Sequence, residues 1–230
     1  MSHPWIAIFL VLLLLAASMA LLTAGARRFG ASAEAMRKLL HVEMALVTLS
    51  FPWLFSSAWP VIVLACASVA WFRLLPASDW LEARFGSALR GTLRESQGEI
   101  WFVCGVCLVY LWSAAEPVAY CIAILVLGLA DTAAALVGQR FGRPRLMAGG
   151  AGKSAAGSFA FFAVAVAIAF GGLYGAADFE VGEALAAALL VATITTGVEA
   201  ILGDGLDNLF VPLGALASLE LFAITVAAQP

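Results

Sequence analysis

An aspartate in an otherwise apolar stretch is the residue of this sequence that most clearly points to chemistry. Asp131 stands between segments 124–130 and 132–137, and neither of these segments contains a charged residue. A carboxylate inside a membrane-spanning helix costs at least ~2.5–3.5 kcal/mol on insertion scales, so it is a functional candidate by default. Only a few residues separate Asp131 from the basic segment that begins at Arg140. We therefore expect Asp131 to reach a water-filled cleft near one membrane face.

Other polar residues lie at the starts of predicted helices. Four predicted helices begin at the same membrane face, and each begins with polar residues of a different kind. These starts are 37–41 (RKLLH), 94–99 (RESQGE), 149–154 (GGAGKS) and 204–208 (DGLDN). Glu43 and Glu199 are two further carboxylates within predicted spans, and the sequence leaves their roles open.

This combination predicts a site for a nucleotide and a metal ion. A helix N-terminus carries unpaired N–H groups and a partial positive charge, and both favour phosphate. The glycines before Lys153 let the backbone approach an anion, while Lys153 and Ser154 add a charge and a hydroxyl group. Mg²⁺ takes oxygen ligands and commonly bridges protein carboxylates to polyphosphates. The segment is not a Walker A loop, because Met147 stands where that pattern requires glycine.

The elements that position these residues are predicted to be transmembrane helices. Of the 230 residues, 63% are hydrophobic and 12% are charged, and the mean hydropathy is +1.02. Soluble domains have about 45–50% apolar and about 25% charged residues, so a soluble fold, a nucleic-acid-binding protein and a disordered chain are excluded. Apolar runs of about 20 residues favour helices over the ~10-residue strands of a membrane barrel. We predict an all-α, polytopic transmembrane helix bundle that forms one integral membrane domain over residues 1–230.

The apolar runs predict eight membrane crossings, with seven as the alternative. The predicted spans are 4–25, 39–57, 59–76, 99–114, 117–138, 155–174, 183–202 and 208–227. All 12 Lys and Arg residues lie in or beside the connections that follow the first, third and fifth spans. Because basic loops are retained in the cytoplasm during insertion, this pattern predicts cytoplasmic basic loops and both termini outside. The expected location is the bacterial inner (plasma) membrane.

Five ordered motifs resemble those of the polyprenol kinase family, which includes dolichol, phytol and farnesol kinases. The motifs are RKxxH (37–41), ExxGE (95–99), DxxAALVGxRFG (131–142), GKSxxGS (152–158), and VEA followed by DNLxVPL (198–213). The resemblance covers roughly residues 35–215, and the motifs stand in the same order. It implies an integral membrane enzyme that phosphorylates the hydroxyl of an isoprenoid alcohol, using CTP or another nucleoside triphosphate with Mg²⁺.

The resemblance also implies roles for individual residues. The catalytic candidates are Asp131, His41 and Glu99, the metal ligands would be Asp131 and Asp207, and the nucleotide-binding candidates are Arg37, Lys38, Lys153, Ser154 and Asn208. Asp131 would bind Mg²⁺ or act as the base toward the lipid hydroxyl. His41 and Glu99 would orient these groups or take part in proton transfer.

The sequence is also compatible with two other functions. A cytidylyltransferase that joins CMP to a lipid phosphate needs the same nucleotide, metal and membrane surface. A small transporter or a non-catalytic membrane protein is the second alternative, although transporters place ionisable groups near the midplane rather than toward one face. The expected partners are the nucleotide, the isoprenoid alcohol and the lipid bilayer, with no nucleic acid. The sequence does not decide between a monomer and a homo-oligomer.

Overall fold

The structure, a computed structural model, describes residues 3–30, 33–74, 97–113, 116–142, 153–177 and 179–227. All elements of regular structure in these ranges are helical. They are α1 (Pro4–Phe29), α2 (Ala33–Thr48), α3 (Phe51–Leu54), α4 (Trp59–Leu74), α5 (Gly98–Ser113), α6 (Pro117–Leu125), a π-helical segment (Val126–Ala130), α7 (Asp131–Phe141), α8 (Ala155–Ala176), α9 (Val181–Ile201) and α10 (Asp207–Ala227).

Long apolar sequences form helices close to the predicted positions. Four stretches are long and apolar enough to cross a membrane, and these are Pro4–Leu22, Pro117–Phe141, Ala155–Ala176 and Val181–Ile201. Two shorter apolar helices, α4 and α5, accompany them. The described part of the chain is therefore an all-helical membrane protein, as predicted. The count of eight crossings, the sidedness and the single domain stay predictions, and most of the predicted loop after α4 lies outside the described residues.

The predicted span 39–57 is not one continuous helix. α2 ends at Thr48, and the four-residue helix α3 follows after a turn. Pro52 has no N–H group, so it cannot donate to the carbonyl of Thr48 as a continuing helix would require. The hydroxyl of Tyr120 donates to that carbonyl instead, at 3.0 Å. Proline thus causes the break, and a side chain from α6 satisfies the carbonyl that the proline leaves unpaired.

Glycines let the helices that carry polar residues approach one another closely. A Cβ atom added to Gly128, in the π segment, would lie 2.5 Å from the Cβ of Ala45 on α2. A Cβ added to Gly105 on α5 would lie 2.6 Å from the carbonyl oxygen of Asn208 at the start of α10. Small residues at such crossings bring helix backbones together in membranes. These two contacts position α2 against the π segment and α5 against α10.

The close contact at Gly128 predicts that one added methyl group there destabilises the protein. We expect Gly128→Ala to lower the free energy of unfolding by about 1–3 kcal/mol, because overpacking forces the neighbouring helix to move. The measurement is thermal unfolding of the purified protein in detergent. Gly171→Ala on α8 is the matched control, since an added Cβ there meets nothing within 4 Å. Equal effects of the two substitutions would contradict the importance of the contact between α2 and the π segment.

Candidate active site

Asp131 lies in a buried cluster with a lysine and a histidine from α2. Lys38 Nζ donates to Asp131 Oδ2 at 2.6 Å, and His41 Nε2 lies 3.7 Å from the same oxygen. All three side chains are buried. A buried charge is tolerated when it is paired, so the Lys38 ammonium explains how a carboxylate is held inside the bundle. The ring of Phe102 packs edge-on against His41, with 4.7 Å between ring centroids.

The backbone before Asp131 has an unusual geometry that contributes to this cluster. The π-helical turn lies between α6 and α7, and such turns inside helices are frequent at functional sites. The carbonyl oxygen of Leu127 in this turn lies 3.3 Å from His41 Nε2. The carbonyl of Gly128 accepts a hydrogen bond from the Thr132 hydroxyl at 2.7 Å. Because a carbonyl can only accept, this contact is a hydrogen bond in the tautomer that carries a proton on His41 Nε2.

A second cluster joins the starts of α8 and α10 to the end of α9. Lys153 Nζ donates to Glu199 Oε1 at 2.6 Å and to Asp207 Oδ2 at 3.0 Å. The Ser158 hydroxyl donates to the other Glu199 oxygen at 3.3 Å. Glu199 is buried, so its charge needs the partners that it has. Two carboxylates therefore converge on one positive charge where three helix ends meet.

These carboxylates also keep Lys153 charged. Burial of the ammonium acts to lower its pKa, but Asp207 and Glu199 outweigh burial and raise the pKa of Lys153 above its ordinary value. Lys153 precedes the first residue of α8 and so lies outside that apolar helix. It carries a positive charge at neutral pH, and an ammonium group of this kind binds phosphate as a point charge.

Ser154 and Asn208 have structural partners. Ser154 is the N-cap of α8, and its hydroxyl oxygen accepts from the backbone N–H of Gly157 at 3.1 Å, as N-cap serines commonly do. Asn208 Nδ2 donates to the carbonyl of Gly98 at 2.9 Å and thereby ties α10 to α5. Both side chains are buried. The glycine run 149–152, predicted to approach an anion, lies outside the described residues.

One side of α7 connects the two clusters. Asp131, Ala134 and Gly138 recur on this side at helical spacing. A Cβ added to Gly157 would lie 2.8 Å from the carbonyl oxygen of Ala134, and one added to Gly138 would lie 3.1 Å from the Ser154 hydroxyl. These contacts pack the side of α7 that carries Asp131 against the start of α8, where Lys153 lies.

A cavity of about 400 Å³ opens beside the first cluster. Its walls come mainly from α1, α2, α4 and α5, and they are mostly apolar. Its polar end is lined by Arg37, His41, Glu99 and Asn208. His41 thus borders the cavity and also lies beside Asp131, which is not among the lining residues.

A phytol kinase is similar to most of the chain. The chain is 31% identical over 191 residues to the phytol kinase of Synechocystis sp., and the match covers 80% of this chain and 77% of that relative. The chain belongs to the polyprenol kinase family. No family model and no solved structure matches it.

In this family member, the structure brings most of the predicted site residues together. Asp131 and His41 are neighbours, and Glu99 lies at the polar end of the adjacent cavity. Lys38 and Lys153, both predicted to bind phosphate, are each held by carboxylates in this structure. The catalytic, nucleotide-binding and metal-binding roles of these residues stay predictions.

Three polar residues gain partners that the sequence did not assign. Glu199 receives hydrogen bonds from Lys153 and Ser158, although the spacing of these residues along the chain gives no sign of it. Ser158 is the last residue of the GKSxxGS motif, and its place in that motif is the sequence signal that could have identified it as a site residue. Glu43 accepts a hydrogen bond from Ser18 of α1 and lines the cavity.

The two predicted metal ligands have different surroundings. Asp131 faces the nitrogen atoms of Lys38 and His41, whereas Asp207 shares one cation with Glu199. Among the described residues, no group of three or more His, Cys, Asp and Glu side chains is arranged to hold a metal ion. Mg²⁺ in phosphoryl-transfer sites is usually held by one or two carboxylates together with phosphate oxygens and water. The converging carboxylates of the second cluster fit that requirement.

The pairing of Lys38 with Asp131 predicts non-additive effects on stability. We expect Lys38→Met to lower the free energy of unfolding by about 3–5 kcal/mol, because it leaves a buried carboxylate without a counter-charge. The double variant Lys38→Met/Asp131→Asn should recover much of this loss. Thermal unfolding in detergent measures both, and Arg140→Met, which removes an exposed charge from α7, is the control. Additive losses in the double variant would contradict the pairing.

Proposed function

We propose that this chain is a kinase that transfers the γ-phosphoryl group of CTP, or of another nucleoside triphosphate, to the hydroxyl of an isoprenoid alcohol. The reaction would take place at the cytosolic face of a bacterial inner membrane. Its relative is named phytol kinase, which supports an isoprenoid alcohol as the substrate. The observation that carries the proposal is the position of His41 between an apolar cavity and the buried Asp131–Lys38 pair. A lipid alcohol needs an apolar space and a polar group at its hydroxyl end, and this arrangement offers both.

His41 is the proposed acceptor of the hydroxyl proton. The contact with the carbonyl of Leu127 holds a proton on Nε2, so Nδ1 of the neutral ring is left as the acceptor. As the alcohol oxygen bonds to the γ-phosphorus, its proton passes to Nδ1. The bond from the γ-phosphorus to the β–γ bridging oxygen breaks, and the nucleoside diphosphate leaves. The Asp131 carboxylate, 3.7 Å from Nε2, stabilises the imidazolium that forms.

The second cluster is the proposed nucleotide site. Lys153 would turn from its carboxylates to the phosphates, and Asp207 and Glu199 would then be free to hold Mg²⁺. When bound, Mg²⁺ supplies positive charge to the phosphate oxygens during transfer. Arg37, at the polar end of the cavity, would add a further charge beside the transferred group. Because phosphoryl transfer depends mainly on positioning and electrostatic stabilisation, these roles account for most of what the protein must provide.

Labelled CTP tests the reaction type. The purified protein is incubated with Mg²⁺, an isoprenoid alcohol and CTP that carries its label in either the γ- or the α-phosphate. We expect the γ label to enter the lipid and CDP to be the second product. Transfer of the α label to a lipid phosphate, with release of pyrophosphate, would identify a cytidylyltransferase instead. Transfer of neither label, with CTP or with ATP, GTP and UTP, would overturn the assignment as a kinase.

Asp131→Asn tests the assigned chemistry in the same assay. We expect a decrease in kcat of about 10²–10⁴-fold, the usual contribution of general acid–base catalysis, because the amide does not stabilise an imidazolium. Glu220→Gln, which removes an exposed carboxylate from α10, is the control. Thermal unfolding must show that the Asp131 variant is folded. Full activity of a folded Asp131→Asn variant would show that Asp131 does not contribute to catalysis.

Glu199→Gln tests the nucleotide site separately. The substitution keeps the shape of the side chain and its hydrogen-bonding capacity toward Ser158 but removes one charge from the second cluster. We expect KM for the Mg²⁺–nucleotide complex to rise by about tenfold or more, a loss of about 1.4 kcal/mol of binding, with a smaller effect on KM for the alcohol. Glu183→Gln, an exposed carboxylate at the other end of α9, should change neither constant. An unchanged KM for the nucleotide in the Glu199 variant would indicate that the nucleotide binds elsewhere.

A further inference from the structure

The cavity beside His41 has the shape and chemistry of a site for one end of a lipid. Away from its polar end, its lining includes Leu12 and Leu15 of α1, Met44 of α2, and Trp71 and Phe72 of α4. Its volume of about 400 Å³ is near the lower limit of small-ligand pockets, which occupy ~300–1,000 Å³. The space is therefore suited to part of a long chain rather than to the whole of it.

The cavity is bounded on one side by α1, which is the least buried of the four described stretches that are long enough to cross a membrane. Only 17% of the apolar stretch of α1 is buried, and large apolar side chains cover its outer surface. α1 and α4 meet near their first residues, where the rings of Trp5 and Trp59 lie 4.9 Å apart. The cavity lies between later turns of the same two helices, and Ala16 and Ala67, which line it, are both exposed. Small, exposed side chains therefore lie where α1 and α4 border the cavity.

The direction of a bound chain follows from the placement of polar groups. Arg37, Glu99 and Asn208 gather with His41 at one end of the cavity, where two helices begin. The other carboxylate in the wall, Glu43, accepts a hydrogen bond from Ser18 of α1, which does not line the cavity. A hydroxyl group therefore finds its partners at the His41 end, and an apolar chain finds matching surfaces along the remainder.

We propose that this cavity binds the hydroxyl end and the first isoprenoid units of the alcohol, while the rest of the chain passes between α1 and α4 into the bilayer. This inference rests on the proposed function and assigns the part of the substrate that the protein recognises. It implies that the enzyme discriminates among alcohols by structure near the hydroxyl group and tolerates different chain lengths. Residues of α1, the outermost wall, then contribute to selectivity without touching the nucleotide.

A pair of neighbouring alanines on α1 provides a matched test. Ala16 lines the cavity, whereas Ala17 is exposed and does not line it. Ala16→Phe should fill the space and raise KM for the alcohol by ~10-fold or more, as expected for steric misfit in an apolar pocket. KM for the nucleotide should stay unchanged, and Ala17→Phe should match the unsubstituted protein in both constants. An unchanged KM for the alcohol in Ala16→Phe would overturn the inference and leave the proposed function standing.

Photo-crosslinking tests the same site without relying on catalysis. An isoprenoid alcohol with a diazirine near the hydroxyl is irradiated with the full-length protein in lipid nanodiscs, and the labelled peptides are identified by mass spectrometry. We expect labelling of the α1 and α4 segments that line the cavity, reduced by excess unlabelled alcohol. This result would support the cavity even if Ala16→Phe fails to fold. Competed labelling confined to other helices would overturn the inference.

A series of alcohols completes the test. Alcohols that share the same first isoprenoid units but differ in total length should have kcat/KM values within about tenfold of one another, the equivalent of about 1.4 kcal/mol. Bulky substituents beside the hydroxyl should reduce kcat/KM much more. A steep dependence on chain length alone would contradict the inference. If no alcohol in the series is phosphorylated, the proposed function itself fails, and the crosslinking result still reports separately on binding.

Discussion

The need to neutralise a carboxylate within an apolar helix bundle is the constraint on which this structure depends. Asp131 is buried, and the ammonium of Lys38 meets it at 2.6 Å. A pair of this kind overcomes the cost of desolvation only when its geometry is good, so α2 must pack closely against the segment that ends at Asp131. Gly128 permits that approach, and the π-helical turn presents the carbonyl of Leu127 to His41. The same packing thus satisfies the charge and orients the imidazole.

The two charge clusters differ in their surroundings. One contains Asp131 and His41 and adjoins an apolar cavity, and the other contains Lys153 with two carboxylates at three helix ends. Under the proposed function, this difference suits two substrates of opposite character, an apolar alcohol and a polyphosphate. Reaction between them would require that both be held close together, and the proposed function assigns this to the packing of α7 against the start of α8.

Local sequence predicts the helices well but predicts their interruptions and partners poorly. Apolar runs mark the long helices because an unpaired backbone polar group is costly in lipid, so such segments must be helical. The break at Pro52 shows the limit of this reasoning, since the Thr48 carbonyl that the proline leaves unpaired is satisfied by Tyr120 from a distant part of the chain. Glu199 is similar, because its partners come from the start of another helix.

The sequence by itself determined the membrane-embedded helical class, the set of polar residues at the helix starts and, through five ordered motifs, the family. Those features depend only on amino-acid composition and on the order of residues along the chain. Only the tertiary structure decided that Lys38 pairs with Asp131, that Lys153 pairs with Glu199 and Asp207, and that a cavity opens beside His41. Helix rotation and packing set these contacts, and both are determined by the whole bundle at once.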